Sequence, residues 1–175
     1  MRKKVGRVVR AMTPVAIAGV VAFGLLQFVP YGWNHANPPV TGAPPWPTPE
    51  SEQLARSACY DCHSNETEWP AYSYVAPMSW LVRYDVDRGR EAMNLSNWGA
   101  DAEDAHDAAK AVEDGSMPPD RYVRLHPDAR LSAEERQVLI DALDAMDDRG
   151  GDGNRGPGGG GDGGNSGPRE RQQRV

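Results

Sequence analysis

The sequence predicts an all-α protein in three parts: a small helical domain, an apolar helix in front of it and a glycine-rich tail behind it. Three observations predict this. Helical periodicity and capping signals recur between residues 49 and 148, and no convincing strand run lies near the two cysteines. Residues 11–29 form an uncharged apolar run. Residues 150–168 are mostly Gly, Asp, Asn and Pro, too polar and flexible to fold. At 175 residues the chain has room for one domain. The boundaries read as a stub and apolar helix over 1–33, a Pro-rich linker over 34–48, the domain over 49–148 and a disordered tail over 149–175.

The apolar run follows five cations, Arg2, Lys3, Lys4, Arg7 and Arg10, and no cation comes directly after it. As a helix, residues 11–29 span roughly 28 Å, close to the hydrocarbon thickness of a bilayer. The positive-inside rule then keeps the N-terminus in the cytoplasm and exports the rest. Tyr31 and Trp33 stand where an interfacial aromatic belt belongs. The reading is a single-pass anchor in the cytoplasmic membrane with the domain on the periplasmic side. A cleaved signal peptide is the rival, but residues 28–36 offer no good small-x-small site. The stretch 34–49 carries Pro38, Pro39, Pro44, Pro45, Pro47 and Pro49 and reads as a stiff spacer that lifts the domain off the membrane.

Thr48-Pro49-Glu50 is a helix start, with Thr48 as N-cap and Pro49 at the first helical position. This helix is expected to run to about Cys62, packing through Leu54 and Ala58. At its end stands Cys59-Tyr60-Asp61-Cys62-His63, a Cys-x-x-Cys-His series that holds both cysteines of the chain. That series is the attachment signature of c-type haem. Each sulfur adds across one porphyrin vinyl group to form a thioether, and His63 supplies the proximal iron ligand. A thioredoxin-like redox pair needs a βαβ setting. A zinc site needs two more ligands, for which only His35, His106 and His126 are available, none at a recognisable paired spacing. One covalent haem c is therefore the expected cofactor, held by Cys59, Cys62 and His63.

Farther along, Trp69, Tyr72 and Tyr74 either wall the porphyrin or pack as ordinary loop and core. A helix from about Pro77 to Met93 carries Trp80, Leu81 and Tyr84, and one of its arginines, Arg83, Arg88 or Arg90, could meet a propionate. A third helix over 101–114 has Ala105, Ala108, Ala109 and Val112 as its apolar side and stops at Gly115. Directly after it comes Ser116-Met117-Pro118-Pro119, a thioether on a loop stiffened by prolines. Met117 is the expected distal ligand and His126 the runner-up. Met78 and Met93 fall on a helical pattern as core, and His106 sits on a charged helix. A methionine ligand raises the reduction potential, whereas a histidine lowers it. Ser132 and Glu135 form a capping box for a last helix to about Met146, whose stripe of Leu139, Leu143 and Met146 is expected to pack on the haem-bearing helix.

Several blocks together resemble the small bacterial haem-binding domain family of single-haem, c-type proteins. They are Pro30-Tyr31-Gly32, Asn37-Pro38-Pro39-Val40, Cys59 through Thr67, Ala76-Pro77-Met78-Ser79-Trp80, Gly89-Arg90, Met117-Pro118-Pro119 and His126-Pro127 with Ala129, Leu131 and Ser132. The resemblance covers roughly residues 30–146. It implies an all-α, cytochrome-c-like domain with one covalent haem, exported and often membrane-anchored. Family members usually carry an aromatic residue where this chain has Ala71 and Asp120.

Segment 30–149 holds 10 Lys and Arg against 22 Asp and Glu, a balance of −12. That argues against nucleic-acid binding, which needs a basic face, and favours a basic or neutral partner surface. With one haem and no evident acid–base cluster, the expected role is one-electron transfer to and from a redox partner protein rather than enzymatic catalysis. A haem-based sensor with a labile or open sixth position is the alternative, and a peroxidase is a third reading.

Overall fold

The structure is a computed structural model that describes the backbone of residues 2–99 and 104–152 and the side chains within residues 13–99 and 104–147. Among the described residues it is all-helical: α1 (Arg2–Leu26), α2 (Pro49–Ala58), α3 (Tyr60–His63), α4 (Met78–Ala92), α5 (Ala105–Glu113), α6 (Asp120–Val123) and α7 (Ala133–Asp152). Short 3-10 turns lie at Ala71–Tyr74 and Pro127–Ala129. The Gly-rich tail beyond Asp152 lies outside the described residues, and the last helix runs six residues past Met146.

Both sequence-level helix starts are made. The Thr48 side chain accepts from the Ser51 amide at 3.1 Å, and Ser51 Oγ is 3.3 Å from the Thr48 amide. At α7 the Ser132 amide donates to Glu135 Oε2 at 2.8 Å, and the Glu135 amide donates to Ser132 Oγ at 3.2 Å. The haem helix differs from expectation in two ways. It breaks at Cys59, whose ψ of −40° goes with a φ of −125°, so Cys62 and His63 belong to the separate turn α3. Its buried face is Ser51, Ala55 and Ala58 rather than Leu54 and Ala58. Small side chains there let neighbouring elements approach closely.

The core gathers Ala55, Tyr60, Met93, Leu95, Ala109, Val112, Leu139, Leu143 and Met146. Fully burying a leucine such as Leu139 contributes about 1.5–3 kcal/mol. The apolar stripe of α7 packs chiefly along α5 and only secondarily on α2, which corrects the expected pairing. The alanine side of α5, with Ala105 and Ala109 buried, admits α7 where larger residues would hold it away.

The Pro-rich stretch does not stand clear of the domain as a spacer. Asn37 donates to the Thr67 carbonyl at 3.0 Å, and Asn65 donates to the Pro39 carbonyl at 2.9 Å. The Thr41 and Gly42 amides both donate to the Ser96 carbonyl, at 2.8 and 3.1 Å, and Trp46 Nε1 donates to Tyr60 Oη at 3.2 Å. Prolines lack the amide hydrogen, so these side chains and the few remaining amides carry the docking. A Cβ on Gly42 would come within 2.6 Å of the Trp98 carbonyl oxygen, so only glycine allows this approach.

Among the described residues no helix is long and apolar enough to cross a membrane. The uncharged run 11–29 stays helical only to Leu26, where α1 ends. The large apolar side chains of that stretch, Val15, Ile17, Val20, Val21, Phe23 and Leu25 among them, are exposed.

Candidate haem site

The Cys-x-x-Cys-His series is held from several directions. The Cys62 and His63 amides both donate to the Cys59 carbonyl, at 3.2 and 2.9 Å, which forms the turn of α3. Ser64 Oγ donates to the Tyr60 carbonyl at 2.7 Å and accepts from the Glu66 amide at 2.9 Å. Thr67 Oγ1 donates to the Asp61 carbonyl at 2.8 Å. The Asp61 carboxylate accepts from the Glu68 amide at 2.9 Å and from Tyr122 Oη at 2.8 Å. The residues after His63 thus fold back to brace the turn before it.

The helix α4 comes in from the side. A Cβ on Gly89 would lie 2.7 Å from the Cys62 carbonyl carbon, so the glycine is what lets α4 lie against α3. The next residue, Arg90, is not at the cofactor cavities. Its Nε donates to the Ser64 carbonyl at 2.7 Å, and its Nη2 donates to Asn37 Oδ1 and Thr67 Oγ1, both at 2.9 Å. Arg83 pairs with Asp87. Of the three arginines on α4 considered for a propionate, only Arg88 lines the larger cavity, and it pairs with Glu91 at 2.6 Å.

His63 Nδ1 lies 3.2 Å from the Met93 carbonyl. A carbonyl oxygen only accepts, so Nδ1 carries the proton and Nε2 keeps its lone pair. Burial lowers the His63 pKa, against the partial opposing effect of the Met93 and Gly89 carbonyls, and so favours the neutral imidazole that binds iron. Burial also pushes both thiols up to about 12, with Asp85 and Asp61 adding to the effect at Cys62. Both cysteines are free, not joined as a disulfide.

His63 and Met117 line the same two neighbouring cavities, of about 510 and 240 Å³. Cys62 lines the larger and Cys59 the smaller, and Ala58 and Ala92 line both. The larger is within the ~300–1,000 Å³ usual for small-molecule sites. Met117 is 37% exposed and sits before a cis Met117–Pro118 bond. Its loop is tied to α5: the Met117 amide and Ser116 Oγ donate to the Ala111 carbonyl at 2.9 and 3.1 Å. Gly115, at a φ of 77°, makes the turn that a residue with a Cβ rarely adopts.

The structure does not bring His126 to these cavities. Its Nδ1 is 3.1 Å from the Tyr122 carbonyl and therefore donates, which leaves Nε2 to accept from Tyr72 Oη at 3.3 Å. Its ring stacks on Tyr122 with centroids 4.0 Å apart. Met93 is buried in the core, and Met78 and His126 line a smaller adjoining cavity, of about 80 Å³, which Cys62 also lines but His63 and Met117 do not. His106 is exposed beside Asp144. Trp69 and Tyr74 pack around His35, away from His63, and His35 Nε2 lies 2.9 Å from the Ser73 carbonyl. Among the described residues no three His, Cys, Asp or Glu side chains gather as a group that could hold a metal ion. Sequence reading missed Gly89, Arg90, Met93 and Tyr122 as supports of the site. The Gly-Arg pair was visible as a block, but its partners are up to 53 residues away in the chain.

The donor set suits a covalently held haem: two free thiols, an imidazole with one nitrogen fixed by a carbonyl, and a thioether on the same cavities. The chain is 28% identical over 148 residues to the cytochrome c peroxidase Ccp of Escherichia coli strain K12, a match covering 77% of this chain and 32% of that protein. It thus spans about a third of the length of that relative. No solved structure matches the chain. A family model described as a haem-binding domain matches residues 21–145, most of the chain and all of the site, and the protein belongs to that haem-binding domain family.

Proposed function

We propose that the protein is a membrane-anchored, extracytoplasmic c-type haem protein whose single haem carries one electron at a time. Cys59 and Cys62 would hold the group as thioethers, and His63 and Met117 would supply the nitrogen and sulfur ligands to its iron. The haem supplies a one-electron iron couple. The chain supplies ligand choice, burial and an approach surface. The observation that carries this reading is that His63, its Nδ1 tied to a carbonyl, shares both cavities with Met117. His126 has both ring nitrogens engaged elsewhere, which supports Met117 over it.

The exposed apolar side chains of α1 support the anchor, and the cations ahead of them support a cytoplasmic N-terminus with the haem domain on the periplasmic side. The acidic balance of the domain supports a redox partner protein with a basic or neutral surface, and no nucleic acid.

The test is a haem stain after denaturing separation, then a redox titration of wild type and Met117→Ala. Haem retained on the denatured chain and a lower potential in the variant are expected. An unchanged potential counts against methionine ligation. The partial exposure of Met117 favours one second reading, a haem-based sensor with a labile sixth position. A CO-induced spectral shift in the ferrous wild type would support that reading over the electron carrier. The match to a peroxidase extends over a third of that protein, and we propose no peroxidase activity. Turnover of hydrogen peroxide no faster than by free haem is expected.

A further inference from the structure

We propose that the haem-bearing head docks on the lipid interface through a second apolar patch, Tyr74 and Val75, which the structure locks beside the end of α1. The inference rests on the reading of α1 as a membrane anchor and adds a fixed orientation of the head to it.

The lock is a side-chain amide. Gln27, just past α1, accepts from the Ala76 amide at 2.9 Å through Oε1, and its Nε2 donates to the Ala76 carbonyl at 3.2 Å. Nε2 also donates to the Phe23 carbonyl at 3.0 Å. The last turn of α1 is thereby joined to a loop 49 residues away by a two-point bridge like that between paired strands. Two further contacts hold the same junction. Gly32, at a φ of 90°, lies so close to Ser79 that a Cβ would sit 2.7 Å from its carbonyl carbon. Arg83 Nη1 donates to the Asn34 carbonyl at 3.0 Å. The head is therefore seated on the helix end, not hung from it.

This seating collects exposed apolar and aromatic side chains from two parts of the chain. Phe28 is 76% exposed and Trp33 59%, and from the loop Tyr74 is 62% and Val75 45% exposed. Tyr74 is held by its ring, which stacks on His35 with centroids 4.0 Å apart. Neither residues 27–36 nor residues 71–77 contain Asp, Glu, Lys or Arg, although the domain as a whole is strongly acidic. The occupant is argued from continuity and composition. The patch continues the exposed apolar surface of α1, and its rings with polar edges are of the kind enriched at the headgroup level of membranes. Neither segment that carries the patch contributes a charged side chain of its own.

The test uses the full-length holoprotein reconstituted in vesicles of phosphatidylcholine and phosphatidylglycerol. With haem attached, Cys59 and Cys62 are thioethers, so a cysteine introduced as Val75→Cys takes an environment-sensitive fluorophore alone. Gln137→Cys, exposed on α7, is the comparison site. Expected are flotation with the vesicles, together with blue-shifted emission and quenching by spin-labelled lipid at position 75 but not at 137. Flotation with both labels equally unquenched overturns the docking while the anchor stands. Failure to float overturns the anchor reading and the docking with it. In Gln27→Ala the label at 75 is expected to lose most of its quenching while the protein still floats. Quenching unchanged from the parent would overturn the lock as the cause of the orientation.

Discussion

The two sides of the proposed haem site are built differently. The His63 side is braced by Ser64, Thr67, Arg90, Gly89 and the Met93 carbonyl, which come from two stretches of chain, residues 64–67 and 89–93. The Met117 side is a partly exposed loop tied back mainly to the one helix before it. One side is pre-organised by hydrogen bonds and close packing; the other, partly exposed, has room to adjust. The contrast fits the proposed function, in which the thioether side would have to be placed accurately and the Met117 side would set the redox behaviour.

Substitutions should break that asymmetry in a graded way. The largest effect on stability is expected from Gly89→Ala. The added methyl meets the Cys62 backbone, which cannot yield as a flexible side chain would, and overpacking of this kind costs about 1–3 kcal/mol or more. Thermal unfolding should show a melting point lower by several degrees. Arg90→Ala comes next. It removes three hydrogen bonds that tie α4 to Ser64 and Thr67 after the motif and to Asn37 in the Pro-rich stretch, and a loss of about 2 kcal/mol is expected in urea unfolding, with little change in reduction potential. Tyr122→Phe removes the donor to Asp61 and should cost about 1 kcal/mol by the same measurement. Met117→Ala should invert the pattern: the smallest stability change of the series, because the side chain is partly exposed, and the largest change in potential.

The buried thiols give a chemical measure of the braced side. In the apoprotein, thiols held up to about 12 should alkylate at pH 8 roughly a thousand-fold more slowly than a free cysteine. Rates near that of free cysteine, with the fold intact, would show the motif to be open. The sign of the linked stability follows. The fold keeps protons that the unfolded chain releases above about pH 8.5. Apoprotein stability should therefore fall as pH rises from there toward 12.

Much of the local structure was legible in the sequence because its causes are local. Thr48 with Pro49 and Ser132 with Glu135 start helices through atoms three residues away, and the Cys-x-x-Cys-His spacing reads as a haem motif in a chain that belongs to the haem-binding domain family. Helix pairing was not legible. The stripe of Leu139, Leu143 and Met146 demands a partner without naming it, and the small residues of α5 decide which helix comes near. The Pro-rich stretch misled for a related reason: proline composition describes a chain in solvent, whereas Asn37, Thr41 and Gly42 find partners far along the chain.

By itself the sequence determined the all-helical class, the resemblance to the haem-binding domain family and the candidate ligands, since each depends on residue types and their spacing along the chain. Only the tertiary structure decided that Met117 and not His126 shares the cavities of His63, that Gly89 and Arg90 serve the motif rather than the cofactor, and that Gln27 seats the head on the end of α1. The physical reason is the same in each case. A close approach or a buried hydrogen bond is a property of two distant segments at once, and neither segment carries it alone.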